Sequence, residues 1–150
     1  MARNLMWIPM AAAVMLLSSC GSHFKREWER AAEGSHPDRT IEGRWEGTWH
    51  SLATGHQGRL RCIVGPASNT TGDRPVVYWA SWKHILSASF TTTHRVKDAG
   101  TVITFQGSHK MPGWAGGIYD YQGTIRKGRW QSTYRSAMDH GTFSLHRPVN

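Results

Sequence analysis

Residues 41–50 read Ile-Glu-Gly-Arg-Trp-Glu-Gly-Thr-Trp-His, and two kinds of side chain alternate along this stretch. Apolar or small residues occupy the odd positions from Ile41 to Trp49, and charged or polar residues occupy the even positions from Glu42 to His50. Successive side chains of a β-strand point to opposite faces, so a period of two predicts a strand with one face in a core. This is the clearest strand in the chain, and it indicates the fold class.

The same period returns along the rest of the chain. Further strands are predicted at residues 57–64, 76–82, 88–96, 101–109, 117–125, 129–136 and 141–147. Turn-forming sequences such as 98–100 (Asp-Ala-Gly) and 127–128 (Lys-Gly) separate most of them. Eight consecutive strands with short links predict an all-β fold, an antiparallel eight-stranded up-and-down barrel, because closure removes the exposed strand edges. A two-sheet β-sandwich is the alternative.

The strand face that is predicted to point inward is rich in aromatic residues. Its large members are Trp45, Trp49, Leu60, Cys62, Tyr78, Trp82, Phe90, Ile103, Phe105, Tyr119, Tyr121, Trp130, Tyr134, Phe143 and Leu145. Small residues on the same face, such as Gly58, Gly107 and Gly123, leave room for them. On the outer face, Glu46 is expected opposite Arg61 across the first hairpin.

An inner face of this kind has two interpretations. The interior of a small barrel is either filled by its own side chains or holds one small ligand. Buried tyrosine hydroxyls need hydrogen-bond partners, and an aromatic pocket with such polar tips suits a planar or amphipathic ligand. The residues of the candidate ligand pocket are Trp49, Tyr78, Trp82, Phe90, Phe105, Tyr119, Tyr121, Trp130 and Tyr134.

The N-terminal residues have the features of an export signal. Arg3 precedes an apolar run at residues 5–17, which is too short to span a membrane, and residues 17–20 read Leu-Ser-Ser-Cys. This ending resembles the bacterial lipobox, which implies cleavage before Cys20 and acylation of its thiol. The expected organisation is a lipoprotein signal peptide at 1–19, the lipidated Cys20 with a flexible tether at 20–40, and a β-barrel domain at 41–148. A loose helix packed on the domain is the alternative for the tether.

Composition sets further limits. The chain has 150 residues and a mass of 16.9 kDa, with 39% hydrophobic and 19% charged residues, which indicates one folded domain rather than a disordered chain. It contains two cysteines. With Cys20 acylated, Cys62 would have no partner, so no disulfide is expected.

Two resemblances rest on particular residues. The sequence Gly-Arg-Trp at 43–45, together with Arg147 near the end of the last strand, resembles the pattern of lipocalin-like (calycin) barrels. It implies that Trp45 and Arg147 are structural and that the Arg packs across the Trp and closes the barrel. Residues 55–62, 115–119 and 134–143 resemble a group of uncharacterised bacterial lipoproteins, many from planctomycete-type bacteria. That resemblance implies no activity.

No motif predicts catalysis. Ser136, Asp139 and His140 contain the residue types of a hydrolytic triad, but a hairpin turn is the preferred interpretation, with Asp139 capping backbone amides and Gly141 supplying a positive φ. Cys62 is expected to be a buried, inert thiol. We therefore expect a protein that is not an enzyme.

No motif predicts a metal site either. The nine histidines lack helical ligand spacing. His50, His56, His94 and His109 would approach one barrel mouth only in a favourable register, and scattered rim and loop positions are the expected arrangement. No metal or cofactor is expected.

Charge and export indicate the partners. The formal net charge is +8, but an exported protein is not expected to meet nucleic acid. The expected location is the cell envelope, anchored by lipid on the periplasmic face, with the outer membrane favoured. The expected partners are the membrane and a small apolar or amphipathic ligand. In the alternative, a filled barrel contacts an anionic envelope polymer or another protein through a basic exterior; the exterior cations are Arg59, Arg61, Arg126, Lys127 and Arg129.

Overall fold

The computed structural model describes residues 21–34, 40–68 and 70–149. The predicted signal peptide, Cys20 and residues 35–39 lie outside this part of the chain. Eight strands form one closed antiparallel barrel: β1 (Gly43–Ser51), β2 (Gln57–Val64), β3 (Asp73–Trp82), β4 (Leu86–Asp98), β5 (Ile103–Lys110), β6 (Ile118–Arg126), β7 (Arg129–Arg135) and β8 (His140–His146). Each strand pairs with the next, and β8 pairs with β1. The predicted up-and-down barrel is confirmed, and the β-sandwich is excluded.

This connectivity gives the barrel two distinct ends. The upper end carries the loops after β1, β3, β5 and β7, at residues 52–56, 83–85, 111–117 and 136–139. The lower end carries the start of β1 and the three remaining connections. Alternate connections of an up-and-down barrel share an end because the chain reverses direction at each turn.

Strands β3 and β4 are longer than predicted. Residues 73–75, Asp-Arg-Pro, pair with residues 93–95 of β4, although their composition is typical of a loop. The Asp73 carboxylate accepts a hydrogen bond from Arg95 Nε at 3.2 Å across this pair. Pairing with a neighbour thus outweighs the weak local preference of these residues for strand structure.

The interior contains the aromatic face, as predicted. The buried hydrophobic cluster contains Ile41, Trp45, Leu60, Cys62, Val64, Val76, Tyr78, Ile103, Phe105, Tyr121, Ile125, Trp130, Tyr134, Phe143 and Leu145. Glycines provide the space that these rings need. A Cβ atom at Gly58 would lie 2.7 Å from Trp49 Nε1, and one at Gly123 would lie 2.6 Å from the end of the Phe105 ring. The positions of these two rings therefore depend on a glycine on a neighbouring strand.

A helix at residues 21–32, α1, packs on the outer face of the barrel. Phe24 stacks on Trp79 with ring centroids 6.3 Å apart, and the guanidinium groups of Arg44 and Arg61 lie 5.2 and 4.9 Å from the Trp28 ring. Phe24 and Trp28 are both buried. Of the two alternatives for residues 20–40, the packed helix is the one that the described residues adopt.

The first hairpin has the expected register. Glu46 pairs with Arg61, and the Arg61 Nε atom lies 3.4 Å from a Glu46 carboxylate oxygen. This ion pair lies beside α1, because the Arg61 guanidinium also faces Trp28. Arg61 is therefore engaged by a carboxylate and lies beside a helix, although its side chain keeps 31% of its surface exposed.

Candidate functional site

The lower end of the barrel is closed by its two terminal segments. The Arg147 guanidinium lies 4.0 Å from the centre of the Trp45 ring and donates hydrogen bonds to the carbonyl oxygens of Arg44 (3.1 Å) and Thr40 (2.6 Å). Trp45 Nε1 donates to the Ile41 carbonyl at 2.8 Å. This is the arrangement that the lipocalin-like resemblance implies, and it leaves Trp45 fully buried.

Five of the nine predicted pocket residues fill the barrel interior, and one of them, Tyr134, does so near the upper end, where it pairs with Gly141. Tyr78, Phe105, Tyr121, Trp130 and Tyr134 are all buried. Their rings contact one another or common neighbours: the centroids of Phe105 and Trp130 are 4.4 Å apart, and those of Tyr78 and Tyr121 are 6.2 Å apart. In this region the side chains themselves occupy the interior.

His94 lies at the centre of this packing and is fully buried. Its Nε2 atom shares a 2.7 Å hydrogen bond with the Tyr78 hydroxyl, and its ring lies 5.1 Å from Phe105 and 5.8 Å from Tyr121. Burial lowers the pKa of His94 to about 4, because the charged imidazolium loses its hydration inside the barrel. The imidazole is therefore neutral at neutral pH. Burial also raises the pKa of Tyr78 well above its usual range.

The expectation that the histidines lie at scattered rim and loop positions is wrong for His94. His94 points into the middle of the barrel, whereas His50 points outward from β1. The sequence contains a signal for this position: His94 follows Phe90 by four residues in the same strand, so both side chains share a face. Within residues 21–34, 40–68 and 70–149, no three His, Cys, Asp or Glu side chains group as metal ligands do.

The remaining predicted pocket residues line the upper mouth. Trp49, Trp82, Phe90 and Tyr119 point inward near the upper ends of their strands and are each partly exposed. Phe90 stacks on Tyr78 at 5.1 Å and lies 5.3 Å from the His109 ring. Trp49, Phe90 and Tyr119 thus pack against the buried core below and present part of their surface to solvent.

The mouth is open on one side. The pairing of β4 with β5 begins at Thr93 and Ser108, so the upper half of β4, Leu86 to Thr92, has no strand partner on that edge among the described residues. Ala88, which alternates with Phe90 on the inward face, is exposed there. Trp49 Nε1 donates to the Ser81 carbonyl at 3.0 Å and holds the opposite side of the mouth together.

Side-chain hydrogen bonds of Ser136 and Asp139 hold the β7–β8 turn in place. Ser136 Oγ accepts hydrogen bonds from the backbone N–H groups of Met138 (3.2 Å) and Asp139 (3.0 Å). The prediction that Asp139 caps backbone amides is therefore wrong, since the serine hydroxyl does so. The Asp139 carboxylate instead accepts from the hydroxyls of Ser51 (2.6 Å) and Tyr134 (3.1 Å).

The role predicted for Gly141 is also wrong. Its φ is not among the positive values of the chain. A Cβ atom there would overlap the carbonyl oxygen of His50, because β8 passes close to β1 at this point. The glycine is required by the close approach of two strands rather than by the turn.

Cys62 lies in the core and pairs with Trp45 across the first hairpin. It is fully buried, and burial raises the pKa of its thiol well above the usual range; the nearby Arg147 charge opposes this shift. The thiol therefore stays protonated at neutral pH and packs as a small apolar group.

A polar groove crosses the outer face of strands β4 to β8 and has a volume of about 780 Å³. Its walls include Arg95, Gln106, Gln122, Thr133 and Arg135. Carboxylates line it too: Asp73 forms an ion pair with Arg95, and Asp120 lies opposite Arg135 in the β6–β7 register. Hydroxyl, amide and guanidinium groups of this kind suit polar ligands, and the two carboxylates offset the two cations.

The chain matches no protein-family model, and no curated protein matches it at a significant level. Among the described residues, no helix has both the length and the apolar character needed to cross a membrane.

Proposed function

We propose that the protein is a lipid-anchored protein of the bacterial envelope whose lipocalin-like barrel binds a small amphipathic molecule at its upper mouth, without catalysis. One observation carries the proposal: the inward-facing rings at the lower end are buried, whereas several of those at the upper end are partly exposed. Trp45 and Trp130 are fully buried at the lower end, whereas Trp82 and Phe90 are partly exposed at the upper end. A ligand would therefore rest on the mouth rather than enter the barrel.

The chemistry of the mouth indicates the kind of ligand. Phe90 and Trp82 offer aromatic surface for stacking, and the small Ala88 leaves space between them. The His109 imidazole lies beside Phe90 and supplies a hydrogen-bonding group. Apolar surface with one polar group next to it suits an amphipathic molecule with a flat or chain-like apolar part.

The location in the envelope rests on the N-terminal residues. The motif ending in Cys20 and the resemblance to planctomycete-type lipoproteins both support acylation, and Gly21 at the next position supports transfer to the outer membrane. Several acyl chains on one residue give strong membrane attachment, at about 0.8 kcal/mol per buried methylene.

Native mass spectrometry of residues 21–150, which keep α1 and the barrel together, tests ligand binding. After incubation with an envelope lipid extract, we expect an added mass that denaturation releases. Ala88→Trp should fill the mouth and abolish the added mass. Ser87→Trp places the same ring on the outer face of the same strand and should retain it. A protein without added mass, or equal loss in both variants, would refute binding at the mouth.

The outer groove favours a second candidate function, contact with an anionic envelope polymer. Its support is the pair of guanidinium groups, Arg95 and Arg135, at a groove lined by amides and hydroxyls, together with the formal net charge of +8; Asp73 and Asp120 line the same groove and offset part of its charge. Salt-sensitive retention on anionic wall material, lost in Arg135→Ala, would favour this function over ligand binding at the mouth.

A further inference from the structure

The exposed apolar side chains of the barrel are concentrated at one end. Among the described residues, the large hydrophobic side chains that are exposed at the upper end are Leu52, Ile85, Leu86, Trp114, Ile118 and Met138, and the only other one is Val149. We refer to these six residues as the apolar crown. Every upper loop, or the strand end beside it, contributes at least one of them. Single exposed apolar residues are ordinary on protein surfaces, but a group at one end indicates an interaction site.

The loop after β5 projects one of these side chains into solvent. Backbone hydrogen bonds fold this loop back on itself: the Gly116 and Gly117 N–H groups donate to the carbonyls of Gly113 (3.2 Å) and Pro112 (3.3 Å). Trp114 at its tip is nevertheless 84% exposed. The loop therefore holds a large aromatic ring in water although its own backbone is ordered.

The loop after β3 does the same with an aliphatic side chain. Lys83 and His84 have φ values of 52° and 60°, in the left-handed region where glycine or asparagine would cost less. The next residue, Ile85, is 84% exposed. This tip keeps a strained backbone and an exposed isoleucine together, a combination that does not stabilise the barrel.

Most exposed charges of the upper end are positive. Lys83, Lys110 and Arg135 are exposed beside the crown, and the exposed Asp120, which pairs with Arg135 in the β6–β7 register, offsets one of them. The only carboxylate in the four upper loops belongs to Asp139, which accepts hydrogen bonds from Ser51 and Tyr134 and is partly buried. Tryptophan and aliphatic side chains surrounded by cations are the composition of surfaces that bind anionic membranes.

We propose that the apolar crown inserts into the interface of an anionic lipid bilayer and turns the barrel mouth toward the membrane. Helix α1 crosses the barrel wall beside this proposed orientation: Phe24 contacts Trp79, and Trp28, one turn later, lies over Arg61, the residue paired with Trp79, and over Arg44. The proposal does not depend on a ligand in the mouth.

An environment-sensitive fluorophore on an added cysteine tests the insertion in the full chain. Gly113→Cys places the label beside Trp114, where a Cβ atom meets nothing within 4 Å. Ala99→Cys places the same label on an exposed loop at the lower end. The parent chain gives the background from Cys20, because Cys62 is buried. The membranes are vesicles that contain phosphatidylglycerol, and neutral phosphatidylcholine vesicles for comparison.

On phosphatidylglycerol vesicles, we expect blue-shifted emission at position 113 that brominated acyl chains quench, and aqueous emission at position 99. Trp114→Ala with Ile85→Ser should remove the blue shift, and Lys83→Glu with Lys110→Glu should weaken it about tenfold or more in vesicle titrations. Aqueous emission at position 113 on all vesicles would overturn the proposal. A blue shift at position 113 that occurs only in native envelopes and not on pure lipid would also overturn it, because the crown would then bind a protein. If native mass spectrometry found no ligand bound at the barrel mouth, the result expected on vesicles would be unchanged.

Discussion

At the scale of single residues, His94 makes the stability of the barrel depend on pH. Its pKa is lowered by burial from 6.5 to about 4, so the unfolded chain binds the proton more readily than the folded barrel. The free energy of unfolding that the neutral His94 allows is fully present above about pH 6.5, and it decreases as the pH falls toward 4. We expect the free energy of unfolding to decrease by about 3 kcal/mol over this interval from His94 alone, at 1.36 kcal/mol per pKa unit.

Urea unfolding at a series of pH values measures this effect. His94→Gln removes the titrating group, so its stability should be lower than that of the parent at pH 7 but should vary less between pH 6.5 and 4. His146→Gln, a change on the outer face of β8, should retain the full dependence of the parent. If the parent and His94→Gln show the same pH dependence, the buried imidazole is not the source.

At the scale of elements, α1 contributes to the stability of the barrel. Trp28 is buried between Phe24 and the guanidinium groups of Arg44 and Arg61. We expect Trp28→Ala to lower the free energy of unfolding by about 3 kcal/mol, because it removes a buried aromatic ring. Arg26→Ala, an exposed position on the same helix, should change it by less than about 0.5 kcal/mol. Urea unfolding of both variants tests this, and an unchanged Trp28→Ala protein would show that α1 does not stabilise the barrel.

The strands were predictable from sequence because their signal is local. The alternation at residues 41–50 predicts which side chains of β1 point inward, and β2 begins and ends at the predicted residues. The extra residues at the start of β3 were not predictable in this way. Residues 73–75 are polar and include a proline, and only their pairing with β4 makes them part of a strand.

The depth of a side chain and the end to which a loop belongs are properties of the whole barrel. Strand parity places His94 on the inner face, but its depth depends on the register between β3, β4 and β5. Likewise, Leu52, Ile85, Trp114 and Met138 are far apart in sequence. They lie at the same end because alternate turns of an eight-stranded barrel share it, and this relation follows only once the topology is known.

Closure of the lower end of the barrel depends on contacts between the segment before β1 and the segment after β8, and Arg147 makes several of them. It is separated from Arg44 by 103 residues and from Thr40 by 107, yet it donates to both carbonyls while it covers Trp45. Arg147→Lys keeps the charge over the ring but loses the planar fork that reaches two acceptors. We expect a loss of about 1–2 kcal/mol for Arg147→Lys and of about 3 kcal/mol for Arg147→Met, which also loses the cation–π contact.

Urea unfolding followed by tryptophan fluorescence and by far-ultraviolet circular dichroism measures both losses. The two signals should change in one transition in every variant, because removal of the closing contact weakens a barrel that unfolds as a unit. Arg129→Lys, an exposed change at the same end of the barrel, is the control and should match the parent. If Arg147→Met were as stable as the parent, apolar packing on Trp45 would suffice to close the lower end. The hydrogen bonds to residues 40 and 44 would then contribute nothing to closure.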